Sequence, residues 1–196
     1  MSEPVEENDA AAVVIGASVG AIAALSAILP ELPAGYPLPV IVVVHLPPDR
    51  RTMLPELFAE RCELAVKEAE DKERILPGTI YFAPPNYHLL VEPELCFSLS
   101  NEEPVHFSRP SIDVLFESAA DAYGTGLTGV MLTGASNDGA RGLKRVRESG
   151  GRAYVQEPAS AESEVMPLAA LAACPTAQVL GLKELSIILR HLVPDA

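Results

Sequence analysis

Short runs of β-branched residues alternate with stretches of helical composition along most of the chain. Ala11 to Ile15 and Pro39 to Val44 are apolar runs of strand length, while Val19 to Leu29 and Thr52 to Arg61 read as helices. The alternation resumes with a strand at Thr128 to Thr133, a helix at Ala140 to Ser149 closed by Gly150 and Gly151, and a strand at Arg152 to Val155. Two helices follow, near Glu164 to Ala173 and Lys183 to Leu192. Strands without polar alternation have no face for water, so the pattern predicts an α/β fold: a doubly wound, mostly parallel sheet flanked by helices. The middle departs from this. Thr79 to Phe82, His88 to Val91 and Leu95 to Leu99 are closely spaced strand-like runs separated by Pro-rich turns, which predicts a short antiparallel β excursion around residues 79–99. Ser111 follows Arg109 and Pro110 and precedes an amphipathic run to Tyr123, the position of a helix N-cap.

Ala10 to Pro30 carry no charge, and a run of this length matches the ~20 residues of a membrane span. The reading fails on its interior, where Gly16, Ser18 and Gly20 divide a β-branched half from an alanine-rich half. Its acidic flank, Glu3, Glu6, Glu7 and Asp9, is also the wrong sign for a signal peptide. Residues 1–10 read as a disordered acidic tail and 11–196 as one domain. Composition narrows the function. With 14 Lys+Arg against 27 Asp+Glu the net charge is −13, the wrong field for a phosphate backbone, so nucleic acid is excluded as a partner. Cys62, Cys96 and Cys174 lie far apart without metal or redox spacing and read as reduced thiols of a cytoplasmic protein.

The candidate chemistry sits where predicted strands end. Gly16-Ala17-Ser18-Val19-Gly20 is a G-x-S-x-G string between a strand and a helix, the context of a nucleophile elbow. His45 directly follows the strand ending at Val44, and Asp138 follows the strand ending at Thr133 through a short loop. In a parallel sheet, functional groups gather beyond the carboxyl ends of the strands, so Ser18, His45 and Asp138 fall at one edge as nucleophile, base and orienting acid. Each also has a plainer role: Ser18 as a turn residue, His45 as a core histidine, Asp138 as a helix cap. The chain order Ser, His, Asp differs from the Ser, Asp, His order of α/β-hydrolases. His88, His106 and His191 occupy the middle strands, a polar loop and the last helix, and no His/Asp/Glu cluster has metal spacing.

Several longer stretches resemble the catalytic domain of the chemotaxis protein-glutamate methylesterase family, CheB. They are Ile15 to Gly20, His45 to Pro48, Tyr81 to Pro85 with His88 to Val91, Arg109 to Phe116 with Ser118 to Ala120, and Leu132 to Ala140. Weaker matches follow at Gly150-Gly151, Gln156 and Met166-Pro167. The resemblance implies a Ser18, His45, Asp138 triad, with backbone N–H groups of Val19 and Ala135 as oxyanion donors. It implies hydrolysis of γ-glutamyl methyl esters on the cytoplasmic helices of methyl-accepting chemoreceptors, with glutamine deamidation as a second activity of some members, and no cofactor or metal. This chain has Val19 and Ala21 where the family usually has Thr and Gly, and Gly134-Ala135-Ser136 where it has Gly-Met-Gly. Family members commonly carry a receiver domain ahead of this one, so the expectation is an excised domain or a stand-alone esterase.

An acidic enzyme acting on carboxylate-rich helices needs local cations. Arg141, Lys144 and Arg145 share one face of the helix after Asp138, and Arg50 and Arg51 follow His45, so Arg141 and Arg145 are candidate guides for the substrate. A different class of function, a non-catalytic module binding receptors or another partner through the same fold, predicts an unreactive Ser18. Nucleotide binding at the Gly16 to Gly20 turn lacks both G-x-G-x-x-G and a P-loop lysine.

Overall fold

The computed structural model describes residues 10–45 and 52–193. The expected acidic tail, apart from Ala10, lies outside them, as do Arg50 and Arg51. The chain order is β1 (Ala12–Ala17), α1 (Ala21–Ser26), β2 (Val40–Val44), α2 (Leu54–Ala59), β3 (Ala65–Glu68), β4 (Thr79–Phe82), β5 (His88–Val91), β6 (Phe97–Ser100), α3 (Ile112–Tyr123), β7 (Leu127–Met131), α4 (Ala140–Glu148), β8 (Arg152–Gln156), α5 (Val165–Ala173), β9 (Gln178–Leu180) and α6 (Leu182–Arg190). Seven strands form one sheet in the order β3-β4-β2-β1-β7-β8-β9, and every pairing in it is parallel. The chain winds outward from β1 through β2, then returns to β7 on the other side of β1. This reversal opens a crevice beyond the carboxyl ends of β1 and β7.

The apolar runs are explained by two cores, one on each face. Val14, Ile41 and Val43 pack with α3, α4 and α5, whereas Val13, Ile15, Val40 and Val42 pack with α1, α2 and α6. Alternate residues of each central strand therefore face different cores, and neither set reaches water. The antiparallel part is narrower than the expected 79–99 excursion. Among the strands of the described residues, β5 and β6 are the antiparallel pair, with His88 opposite Ser100. β4 lies between β2 and β3 in the parallel sheet, which is why Tyr81 and Phe82 are both buried although they point to opposite faces.

Helix boundaries move for local reasons. Gly20 holds φ +81°, so α1 begins at Ala21 rather than Val19, and Pro30 lies in a separate 3-10 turn, Leu29–Glu31. The edge strands β3 and β9 carry no buried apolar run. Of the described residues, no helix is long and apolar enough to cross a membrane.

Candidate active site

The register of the sheet sets two of the candidate residues side by side. Ala17 pairs with Val44 across β1 and β2, so Ser18 and His45 are the next residues on adjacent strands, and His45 N–H donates to Ala17 O at 3.2 Å. On the other side of β1, Ser18 N–H donates to Thr133 O at 2.9 Å, binding the turn that carries Ser18 to the segment after β7. Ser18 is half-buried. A side chain at Gly20 would meet Glu162, with the new Cβ 2.7 Å from the Glu162 Cβ, so the turn requires glycine for space as well as for its positive φ.

Asp138 is wholly buried, and its carboxylate is filled with donors. His45 Nε2 lies 2.7 Å from Oδ2, which also accepts Ile112 N–H at 2.6 Å. Oδ1 accepts the Ser111 hydroxyl at 2.8 Å and Asp113 N–H at 3.1 Å. Two of the free N–H groups at the start of α3 are thus spent on this one carboxylate, where the positive end of the helix favours a negative charge. Burial by itself raises the Asp138 pKa, but the hydrogen bonds from His45, Ile112, Ser111 and Asp113 outweigh it and hold the group below the usual carboxylate range. Ser111 is the N-cap expected from the sequence, with its Oγ accepting Val114 N–H. His88 is a structural histidine behind it: Nδ1 accepts Ser111 N–H at 3.2 Å and Nε2 donates to Glu103 O.

With Nε2 committed to Asp138, the other ring nitrogen of His45 is the one left to face a serine proton. Among the described residues Ser18 Oγ has no hydrogen-bond partner. His45 and Asp138 are therefore joined in this structure and Ser18 is not; contacts of this kind commonly tighten only with substrate. The Val19 and Ala135 N–H groups donate to no acceptor among the described residues, and both residues are exposed.

Sequence reasoning missed the residues that hold the loop carrying Ala135. Thr133 N–H donates to Gln156 Oε1 at 2.9 Å, and the Thr133 hydroxyl donates to Val19 O while accepting Ser163 N–H. Gln156 also donates to Ser160 O. These contacts tie the turn of Ser18, the end of β7 and residues 160–163 into one unit. A buried polar residue at a strand end, such as Gln156, was the available signal.

The fold also gathers His106, Asp113 and Asp138, whose ligand-type atoms lie within 4.8 Å of one another, a grouping that linear spacing did not reveal. Asp138 spends both oxygens on hydrogen-bond donors, so it has no lone pair directed at a cation. Asp113 is wholly buried; one oxygen accepts Gly142 N–H at 2.6 Å, and the other has no hydrogen bond among the described residues, with His106 Nε2 3.3 Å away. Burial raises the Asp113 pKa, against the lowering by the Gly142 hydrogen bond and with further raising by Asp138.

The expected guides are not unpaired cations. Arg141 pairs with Glu117 and Arg145 with Asp121, both on α3, and Lys144 lies 3.6 Å from Glu148. The basic face of α4 is charge-compensated by its neighbour. Beside His45 a cleft of about 230 Å³ is lined by Asn86, Phe107, Ser108, Arg109 and prolines.

A parallel doubly wound sheet with a serine turn, a histidine and a buried aspartate at adjacent strand ends defines the class: an α/β protein with the constellation of a serine hydrolase. The CheB methylesterase family model matches residues 13–189, and the chain belongs to that family. A protein of Leptospira interrogans (serovar copenhageni), provisionally named protein-glutamate methylesterase/protein-glutamine glutaminase, is 47% identical over 89% of this chain and 91% of its own. The Burkholderia lata protein-glutamate methylesterase/protein-glutamine glutaminase 3 is 39% identical over 89% of this chain but only 48% of its own, so the chain spans about half of that relative. The crystal structure of the Thermotoga maritima CheB methylesterase catalytic domain superposes with a TM-score of 0.89 at 32% identity, covering 94% of this chain and 99% of that one.

Proposed function

We propose that this protein is a protein-glutamate methylesterase that uses Ser18 as nucleophile, His45 as base and then acid, and Asp138 as the group that orients the imidazole. The observation that carries the reading is the Asp138 carboxylate, fixed by four donors and in contact with His45 one residue beyond the strand that flanks Ser18. Ser18 Oγ attacks the γ-carbonyl carbon of a glutamyl methyl ester as the free His45 nitrogen takes its proton. Charge develops on the carbonyl oxygen, where the Val19 and Ala135 N–H groups stabilise it. The imidazolium then protonates the methoxy oxygen, the ester C–O bond breaks, and methanol leaves. Water repeats the sequence on the acyl-enzyme, giving glutamate and free Ser18. A glutamine side chain passes through the same acyl-enzyme with ammonia as the leaving group. The substrate is the cytoplasmic helical region of methyl-accepting chemoreceptors, and the site of action is the cytoplasm. The steps use the chain's own groups and water.

A serine-directed fluorophosphonate probe tests the nucleophile. Labelling confined to Ser18, and abolished by Ser18→Ala and by His45→Ala, is expected. A folded protein that takes no label would establish the non-catalytic module instead.

A further inference from the structure

Residues 105–108 form a two-residue hairpin in which Val105 and Ser108 exchange both backbone hydrogen bonds, at 3.1 and 2.8 Å. Its central residues, His106 and Phe107, have φ of +48° and +62°. Two positive φ angles in succession are the geometry of a type I′ turn, a position that favours Asn and Gly and disfavours bulky side chains. The chain nevertheless places an aromatic ring there and leaves it fully in water: Phe107 is 103% exposed, the most exposed of the large apolar residues described. Phe107 is one of the residues lining the cleft that also contains His45, together with Arg109 and Asn86. Arg109 is held in place by bonds to Asn101 O, Glu102 O and Asn86 Oδ1. Within the protein Phe107 gains no burial that would offset its backbone conformation. A strained turn at the mouth of a site points to a contact made with something else.

We infer that Phe107 is a substrate-positioning residue, which packs against the apolar side of the helix that carries the glutamyl ester and so sets that ester beside His45. This rests on the methylesterase reading and names how the substrate is held. An amphipathic helix fits the cleft's chemistry: an aromatic edge for its apolar stripe, and the Arg109 guanidinium for carboxylates on its polar side. A group in this position contributes to binding and not to bond breaking, so it acts on KM.

The test compares the parent chain with Phe107→Gly and Phe107→Trp on a methylated cytoplasmic fragment of a methyl-accepting chemoreceptor. Methanol release gives kcat and KM, and binding of the same fragment is measured on a Ser18→Ala background. Phe107→Gly is expected to raise KM and weaken binding about tenfold, the loss typical of an exposed aromatic anchor, with kcat within about twofold. Phe107→Trp is expected to restore both. Phe107→Gly also relieves the backbone strain, so its melting temperature rises, which separates loss of contact from loss of fold. Unchanged KM and unchanged binding would overturn the inference, and so would a fall confined to kcat. Failure of the parent itself to release methanol would count against the methylesterase reading, whereas the binding comparison judges the Phe107 contact whether or not turnover occurs.

Discussion

Asp138 and Asp113 lie close together at the start of α3, and their surroundings push them in opposite directions. Asp138 is ionised in the fold because its hydrogen bonds exceed the cost of burial. Its folded pKa is depressed, so the stability it contributes is present above its unfolded pKa and is lost as pH falls through the folded value. Replacing it with Asn brings an amide into a site of four donors. Asp138→Asn is expected to lower kcat by on the order of 10³–10⁴-fold through loss of the correct imidazole tautomer, measured as methanol release. It should also cost roughly 1–3 kcal/mol of stability for donors left unpaired, measured by denaturant unfolding. Asp113 has the reverse sign. Burial raises its folded pKa, so its contribution is complete below the unfolded pKa and is lost as pH rises through the folded one. Asp113→Asn keeps an acceptor for Gly142 N–H and removes the buried charge. Its melting temperature should equal that of the parent in acid and exceed it increasingly toward neutral pH; a constant difference across that range would contradict the assignment.

At the scale of elements, the site depends on two junctions. The first is α3 against α4, where Asp113 accepts the Gly142 N–H and two arginines of α4 pair with acids of α3. Charge reversal of Arg141 and Arg145 together creates like-charge contacts across this junction. The expected result is a lower melting temperature that partly recovers in high salt; a rise in KM without any change in melting would instead favour their role as substrate guides. The second junction is Gln156 with Thr133, behind the loop that carries Ala135. Gln156→Leu leaves the Thr133 N–H without its partner, and the variant should lose kcat more than it gains KM, measured by steady-state kinetics. The central strands were legible in the sequence because such a strand must be apolar on both faces; the end of β2 at Val44, directly before His45, was read as observed, whereas β1 was ended at Ile15, two residues before its observed end at Ala17. β3 and β9 were not legible: Ala65 to Glu68 and Gln178 to Leu180 are edge strands with solvent beside them and need no apolar run. The parallel pairing of β4 was hidden because strand spacing along the chain carries no information about direction. The α3 end of the Asp138 site was half visible. Ser111 could be recognised as a cap, but its second bond, to a residue 27 positions away, is a property of the fold.

For the molecule as a whole, the sheet brings the ends of β1, β2 and β7 to one edge, and the proposed chemistry lies at the reversal of winding that the fold makes there. The net charge of −13 sets the remaining problem, because the proposed substrate, a carboxylate-rich helix, is repelled at long range. Arg141 and Arg145 of α4 are paired with carboxylates of α3, while Arg109 lines the cleft beside His45. Salt should therefore aid rather than hinder association, and kcat/KM for a methylated receptor fragment is expected to rise as ionic strength increases from a low value. A fall would mean that attraction dominates. The central claim is hydrolysis through Ser18. Methanol released from a methylated chemoreceptor fragment by the parent chain and by Ser18→Ala, at equal concentration and with the same melting temperature, tests it most directly. Turnover by the parent and a loss of at least about 10³-fold in the variant is the predicted result, and equal release by the two proteins would contradict it.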